Sequence, residues 1–135
     1  MAAPSFLTSS LFVALGGAVG TWLRYLTGRL WLAAIGPVAA SAFPWATLTV
    51  NLVGSFAMGL LAGWLSRHGT GGEGWRLLLG VGVLGGFTTF SAFSLEIVGF
   101  IEGQALGTAL LYALVSPIAG VLGLFLGLAL MRAFA

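Results

Sequence analysis

The residues with the clearest chemical potential form one run, residues 85–94, which reads Gly-Gly-Phe-Thr-Thr-Phe-Ser-Ala-Phe-Ser. The run lies inside an uncharged stretch long enough to cross most of a bilayer. Hydroxyls in hydrocarbon need hydrogen-bond partners, and a phenylalanine ring has a positive edge that can favour an anion. Thr89, Ser91, Phe90 and Phe93 could therefore line a narrow path for an anion, although helix packing is the alternative for the two rings.

A second set of polar side chains occupies residues 47–55, which read Thr-Leu-Thr-Val-Asn-Leu-Val-Gly-Ser. Thr47, Asn51 and Ser55 are four residues apart, so they share one face of a helix. An asparagine at mid-bilayer needs partners for its carbonyl and for both of its N–H groups. Asn51 therefore either joins the polar path or clamps two helices together, and the spacing leaves both alternatives open.

Tyr112 and Ser116 form a further pair four residues apart, and Pro117 follows directly. Because proline lacks an N–H, the carbonyl of Ala113 loses its helical donor and a kink is expected. Ser116 either bonds back to a freed carbonyl or adds its hydroxyl to the polar path.

Arg24 and Glu96 are the charged residues that lie deepest in apolar stretches. Charges inside a membrane are functional candidates by default, but both residues lie within reach of an interface. Arg24 either snorkels or adds positive potential at a pore mouth. Glu96 either caps the end of a span or faces a vestibule.

The elements that must position these groups are membrane helices. The chain has 135 residues, of which 59% are hydrophobic and 6% charged, as is typical of a membrane protein. Its length fits one domain, residues 1–135, with four spans of about 20 residues each. We expect no removable signal peptide, because no basic segment precedes the first apolar run. The absence of cysteine excludes disulfides and thiol chemistry, and the lack of a basic tract argues against nucleic acid as a partner.

We predict an all-α integral membrane protein with four transmembrane helices. The expected spans are residues 6–30, 45–65, 75–100 and 105–131, with a connector at 32–43. The third helix is expected to break near its middle, at Gly85-Gly86, because each glycine costs a helix roughly 1 kcal/mol relative to alanine. Broken helices at this depth leave carbonyls free to bind a cation.

The arginines give little information about orientation. If the N-terminus is cytoplasmic, that side has Arg67, Arg76 and Arg132, and the opposite side has Arg24 and Arg29. So small a bias would allow the chain to insert in both directions, and an antiparallel homodimer would follow. Other features could still orient the chain, and charge alone leaves both alternatives open.

Glycine is abundant: the chain has 22 in 135 residues, about 16%, against a usage of roughly 7% in average proteins. Many of them fall four residues apart, among them Gly16 and Gly20, Gly59 and Gly63, Gly82 and Gly86, and Gly123 and Gly127. Small residues at this spacing let helix backbones approach closely in lipid. These pairs therefore predict tight helix packing.

Together, these motifs resemble the Fluc (CrcB) family of fluoride channels over the whole chain. The matching segments are residues 16–25, 47–56 and 85–94, followed by Tyr112 and Ser116. The resemblance implies an antiparallel, dual-topology homodimer in the bacterial inner membrane. It also implies two pores that export fluoride passively and a structural sodium ion at the dimer centre.

The resemblance also assigns roles to residues of this chain. The implied fluoride-pore residues are Asn51, Phe90, Phe93, Tyr112 and Ser116, and the polar clusters add Thr47, Thr89 and Ser91 to them. The backbone carbonyls of Gly85 and Thr88 are implied as sodium ligands, while Arg24 and Glu96 are candidate vestibule charges. The chain departs from the family at Ala92, where a threonine is common, and at Ala46, where a glycine often precedes Thr47.

Three other classes of protein fit the sequence less well. A small multidrug-resistance transporter would carry a carboxylate in its first span, and this span has none. An assembly subunit would leave the hydroxyls and phenylalanines of the third span unexplained. No nucleophile–base pair or metal-ligand cluster suggests an enzyme. We therefore predict a fluoride channel, with fluoride, a second copy of the chain and the bilayer as partners.

Overall fold

Four apolar helical spans organise the chain. The structure, a computed structural model, describes residues 4–68 and 72–134. The first two spans are α1 (Phe6–Ala42) and α2 (Trp45–His68). The third span (Glu73–Glu102) consists of α3 (Glu73–Trp75), a π-helical segment (Arg76–Leu84), α4 (Gly85–Phe87) and α5 (Phe90–Glu102), and α6 (Leu106–Ala133) follows. Even the 24 residues of α2 suffice for a hydrocarbon core of roughly 30 Å. The prediction of an all-helical, multi-pass membrane protein is confirmed.

The first span is longer than predicted, and most of the expected connector at 32–43 is helical. The helix begins after Ser5, whose hydroxyl accepts a hydrogen bond from the N–H of Thr8 at 3.3 Å. It continues to Gly36, where φ is 78° and ψ is 165°, and a short helical stretch then leads to Ala42. A positive φ suits glycine, and Pro37 has the fixed φ that favours the first turn of a new helix. The predicted end at residue 30 was too early. Residues 30–35 contain no helix breaker, so the helix continues until Gly36.

Glycines bring α1 against the first half of the third span. A Cβ at Gly16 would collide with the carbonyl oxygen of Leu78 and would lie 2.9 Å from the Cα of Gly82. A Cβ at Gly20 would lie 2.8 Å from the amide nitrogen of Phe87. At these positions any larger residue would force the two backbones apart, so the predicted close packing is confirmed here.

The second close interface joins α2 to α6. A Cβ at Gly127 would collide with the carbonyl oxygen of Phe56, and one at Gly59 would collide with the backbone of α6. A Cβ at Gly63 would lie 2.6 Å from a side-chain carbon on α6, whereas Gly123 has room for a Cβ at ordinary contact distance, 3.6 Å. Three of these four glycines are therefore required by packing.

The segment Arg76–Leu84 is π-helical, which the sequence did not predict. The N–H of Gly85 at its end donates to the carbonyl of Gly80, five residues earlier. Such wide turns are rare in proteins and tend to occur at functional sites. Gly80 and Gly82 are both buried, and their lack of side chains lets the wide turns pack against neighbouring helices.

The third span breaks at its midpoint, three residues after the predicted position. Gly85 has ordinary helical angles, whereas Thr88 and Thr89 are extended, with ψ values of 161° and 127°. The hydroxyl of Thr89 accepts a hydrogen bond from the N–H of Ala92 at 3.3 Å and so caps the start of α5. A threonine cap, which satisfies a free N–H of the new helix, explains the position of the break better than the glycine pair does.

Candidate functional site

Asn51 satisfies the backbone at the break. Its side-chain oxygen accepts a hydrogen bond from the N–H of Thr89 at 2.9 Å, and its side-chain nitrogen donates to the carbonyl of Thr89 at 3.0 Å. In a continuous helix, the N–H of Thr89 would instead donate to the carbonyl of Gly85. The amide oxygen thus replaces the helical acceptor that the N–H of Thr89 has lost, and the amide nitrogen adds a second bond to the carbonyl of the same residue. Asn51 therefore clamps α2 to the break, which is one of the two roles that the sequence allowed.

Arg24 holds the other carbonyl of the break. Its Nη1 donates to the carbonyl oxygen of Thr88 at 3.1 Å, and the residue is half-buried. Thr88 lies at the middle of the third span, so the guanidinium is at mid-membrane depth and does not snorkel to an interface. The sequence placed Arg24 within reach of an interface, and α1 continues beyond it to Ala42, farther than predicted.

A cavity of about 410 Å³ opens beside the break, between α2, α5 and α6. Its polar wall is formed by Asn51, Ser55, Thr88, Thr89 and Ser116. The remaining lining residues are Gly54, Met58, Phe90, Phe93, Pro117, Gly120, Val121 and Leu124. None of these lining residues, all within the described part of the chain, is charged, so the polar groups of the wall are one amide, hydroxyls and backbone atoms.

Ser116 presents a hydroxyl to this cavity. The residue is 5% exposed, lines the cavity, and makes no hydrogen bond within residues 4–68 and 72–134. The alternative in which Ser116 bonds back to a freed helical carbonyl is therefore wrong. Its hydroxyl remains available as a donor to whatever enters the cavity.

Glu96 joins two of the predicted site residues. The hydroxyl of Thr47 donates to one carboxylate oxygen at 2.5 Å, and the hydroxyl of Tyr112 donates to the other at 2.8 Å. Thr47 and Tyr112 are both buried. The carboxylate thus ties together α2, α5 and α6, and it is held inside the bundle instead of capping a span end.

Aromatic rings connect the cavity to this carboxylate. Phe93 lines the cavity, and its ring centroid lies 5.0 Å from that of Tyr112 at an angle of 61°. Phe43 and Phe100 also meet the ring of Tyr112 edge to face, with centroids 5.3 Å and 6.2 Å away. Phe43 was not among the predicted site residues, because it lies in the expected connector at 32–43.

Phe90 and Ser91 face outward from this chain. Phe90 is 80% exposed, although it contributes to the cavity wall and lies 6.0 Å from Phe93. Ser91 is exposed, lies 3.4 Å from the hydroxyl of Thr89, and does not line the cavity. Seven of the eight predicted pore residues therefore lie in the cavity wall or bond to Glu96, and Ser91 does neither.

The two predicted sodium ligands fit a cation to different degrees. The carbonyl of Gly85 loses its helical donor, because the N–H of Thr89 bonds to Asn51 instead. Gly85 is exposed, and a Cβ placed on it would meet only the carbonyl oxygen of Gly80, at 3.6 Å. The carbonyl of Thr88 already accepts from Arg24, so a cation there would use its second lone pair.

Comparison with known proteins decides the family. The family model described as CrcB-like protein, Camphor Resistance (CrcB), matches residues 11–128. The chain belongs to the CrcB family. This match includes the second and third spans, most of the first and fourth, and every residue of the cavity and of the Glu96 cluster.

Three relatives of this CrcB protein share one name. The Fluoride-specific ion channel FluC of Novosphingobium aromaticivorans is 57% identical over 129 residues, which are 96% of this chain and 100% of the relative. The protein of the same name from Erythrobacter litoralis is 49% identical over 130 residues, 96% of each chain. That of Caulobacter vibrioides is 50% identical over 123 residues, 90% of this chain and 94% of the relative. These relatives are named as channels and not as enzymes, in agreement with the sequence prediction.

Proposed function

We propose that this CrcB protein is a fluoride-selective channel that exports fluoride passively down its electrochemical gradient. The observation that carries the proposal is the neutral, hydroxyl-lined cavity that continues through aromatic rings to Thr47 and Tyr112. The names of its relatives support the same assignment.

The chemistry of the cavity suits a small, strongly hydrated anion. A channel must replace the water around such an ion while binding it weakly enough to release it. The free hydroxyl of Ser116 can donate to the ion, and the ring edges of Phe90 and Phe93 add weak positive potential. An arginine in the cavity wall would hold the anion too tightly, and the wall formed by the described residues contains none.

Glu96 gives the far end of the path a distinct role. Its carboxylate accepts the hydroxyls of Thr47 and Tyr112, which are the donors that an anion would need at that point. Fluoride passing this cluster must compete with the carboxylate for those protons. We infer that Glu96 keeps the two hydroxyls oriented and lets them switch briefly to the ion.

We further propose that two copies assemble as an antiparallel, dual-topology homodimer with two pores in the bacterial inner membrane. Successive spans cross in opposite directions, so Arg67, Arg76 and Arg132 lie on one side of the membrane and Arg29 on the other, while Arg24 is held at the break. Phe90 and Gly85 lie on an open face of the chain beside the cavity. A second copy on that face would enclose the cavity, and its own cavity would form the second pore.

A structural sodium ion would complete this arrangement. We propose that the carbonyls of Gly85 and Thr88 hold it at the dimer centre. Hard cations take about six oxygen ligands, so one chain offers too few and a second copy would have to add its own. The ion would supply positive potential near the anion path.

A liposome assay tests the channel itself. Vesicles that contain the purified protein and are loaded with fluoride should release it and should retain chloride under the same conditions. Equal release of both ions, or of neither, would refute the assignment. A reporter fused to the C-terminus should be found on both sides of the membrane, and detection on one side alone would exclude dual topology.

A further inference from the structure

A second cavity, of about 370 Å³, lies at the other end of the α2–α6 interface. It shares no residue with the first cavity. It is lined by Leu60, Leu61, Trp64, Trp75, Leu79 and Met131. All six side chains are apolar in their bulk, and the volume falls in the range of ligand pockets, roughly 300–1,000 Å³. Nothing in the proposed anion path uses this groove.

The end of α2, the start of the third span and the end of α6 meet here, on one side of the membrane. Each of these three elements carries an exposed arginine next to a lining residue. Arg76 follows Trp75 directly, Arg132 follows Met131, and Arg67 lies three residues after Trp64 on the same helix face. The groove therefore joins an apolar interior to a basic rim.

The rim has an excess of positive charge. Arg76 donates two hydrogen bonds of 2.8 Å to the carboxylate of Glu73 and is thereby neutralised. Within residues 4–68 and 72–134, neither Arg67 nor Arg132 forms an ion pair. An anionic lipid has a charged headgroup and apolar acyl chains. The two arginines match its headgroup, and the groove beside them matches an acyl chain.

We propose that the groove binds one anionic phospholipid, with an acyl chain against its apolar wall and the headgroup phosphate near Arg67 and Arg132. Trp64 and Trp75, whose rings are perpendicular with centroids 6.3 Å apart, lie in the groove wall at a depth that suits interfacial tryptophans. A zwitterionic lipid would fill the same groove but would gain less from the arginines. The site is independent of what passes through the first cavity.

Native mass spectrometry of the purified full-length protein, titrated with phosphatidylglycerol or phosphatidylcholine, tests the proposal. Phosphatidylglycerol should bind more tightly to the unaltered chain. Arg67→Gln and Arg132→Gln should each weaken that binding about fivefold, since a basic residue near the membrane surface contributes on that order. Arg29→Gln, which removes the same charge on the other side of the membrane, should leave it unchanged.

Filling the groove provides a test that does not alter charge. Leu79→Trp should abolish binding of phosphatidylglycerol, and Met131→Trp provides a second filling variant if the first does not fold. Equal affinity of the unaltered chain for the two lipids would overturn the proposal, as would equal effects of Arg29→Gln and Arg67→Gln. If Arg67→Gln changes the fraction of dimer to the same extent with and without lipid, the groove is covered by a second copy and not by a lipid.

Discussion

Replacing Asn51 by alanine tests whether the amide holds the broken helix in place. The substitution removes both hydrogen bonds to the backbone of Thr89, at 2.9 Å and 3.0 Å. Hydrogen bonds of this kind contribute about 1 kcal/mol each, in water and between membrane helices alike. The adjoining cavity can admit water to the freed groups, so the larger cost of a dry, unpaired peptide group does not apply. We therefore expect Asn51→Ala to lower the free energy of unfolding by about 2 kcal/mol.

Ser55→Ala provides the matched control. Ser55 lies one turn beyond Asn51 on the same helix and lines the same cavity. It makes no hydrogen bond within the described residues, so its loss should change the free energy of unfolding by less than about 0.5 kcal/mol. Unfolding can be followed by tryptophan fluorescence in mixed micelles with increasing amounts of denaturing detergent.

Fluoride release from liposomes supplies the second measurement. Asn51→Ala should slow the release, because the extended backbone at Thr89 forms part of the cavity wall. Asn51→Ala and Ser55→Ala with equal unfolding free energies would refute the clamp. If release slows while stability is unchanged, the amide serves the ion path alone.

Three further substitutions test the packing, the ion path and the carboxylate cluster. Gly16→Ala should destabilise the chain by roughly 1–3 kcal/mol through overpacking. The neighbouring Gly17→Ala should not, because a Cβ there meets nothing within 4 Å, and unfolding in mixed micelles compares the two variants. Phe90→Ile should slow fluoride release without loss of stability, since the ring is mostly exposed in one chain, and unchanged release would remove it from the path. Tyr112→Phe should lower the free energy of unfolding by about 1 kcal/mol through loss of its bond to Glu96. An unchanged free energy of unfolding would contradict a stabilising role for that bond.

The sequence was sufficient to predict the four spans, because apolar runs of this length form few structures other than membrane helices. It also identified Asn51 and the third span as candidate site elements, since polar groups in hydrocarbon need partners. The identity of those partners could not be read from the sequence. Asn51 and Thr89 are 38 residues apart, and Arg24 and Thr88 are 64 apart, so only the packing of whole helices brings them together.

The errors have physical causes as well. The glycine pair drew the predicted break to residues 85–86, but glycine only permits a break, whereas the capping threonine places it. The role of Glu96 was left open because its two partners lie on two other helices. The π-helical segment has no distinctive residue pattern apart from its glycines, and these were already explained by packing.

The clamps on the break have a consequence for how the chain enters the membrane. A helix with exposed peptide groups at its centre inserts poorly into lipid, since each unsatisfied group costs several kcal/mol. The two side chains that satisfy them, Arg24 and Asn51, belong to α1 and α2, which leave the ribosome first. The third span therefore finds its partners already in the bilayer when it is released. The order of the spans along the chain thus becomes part of the folding pathway. A circular permutant that begins with the third span should insert inefficiently even though it could form every contact of the finished fold.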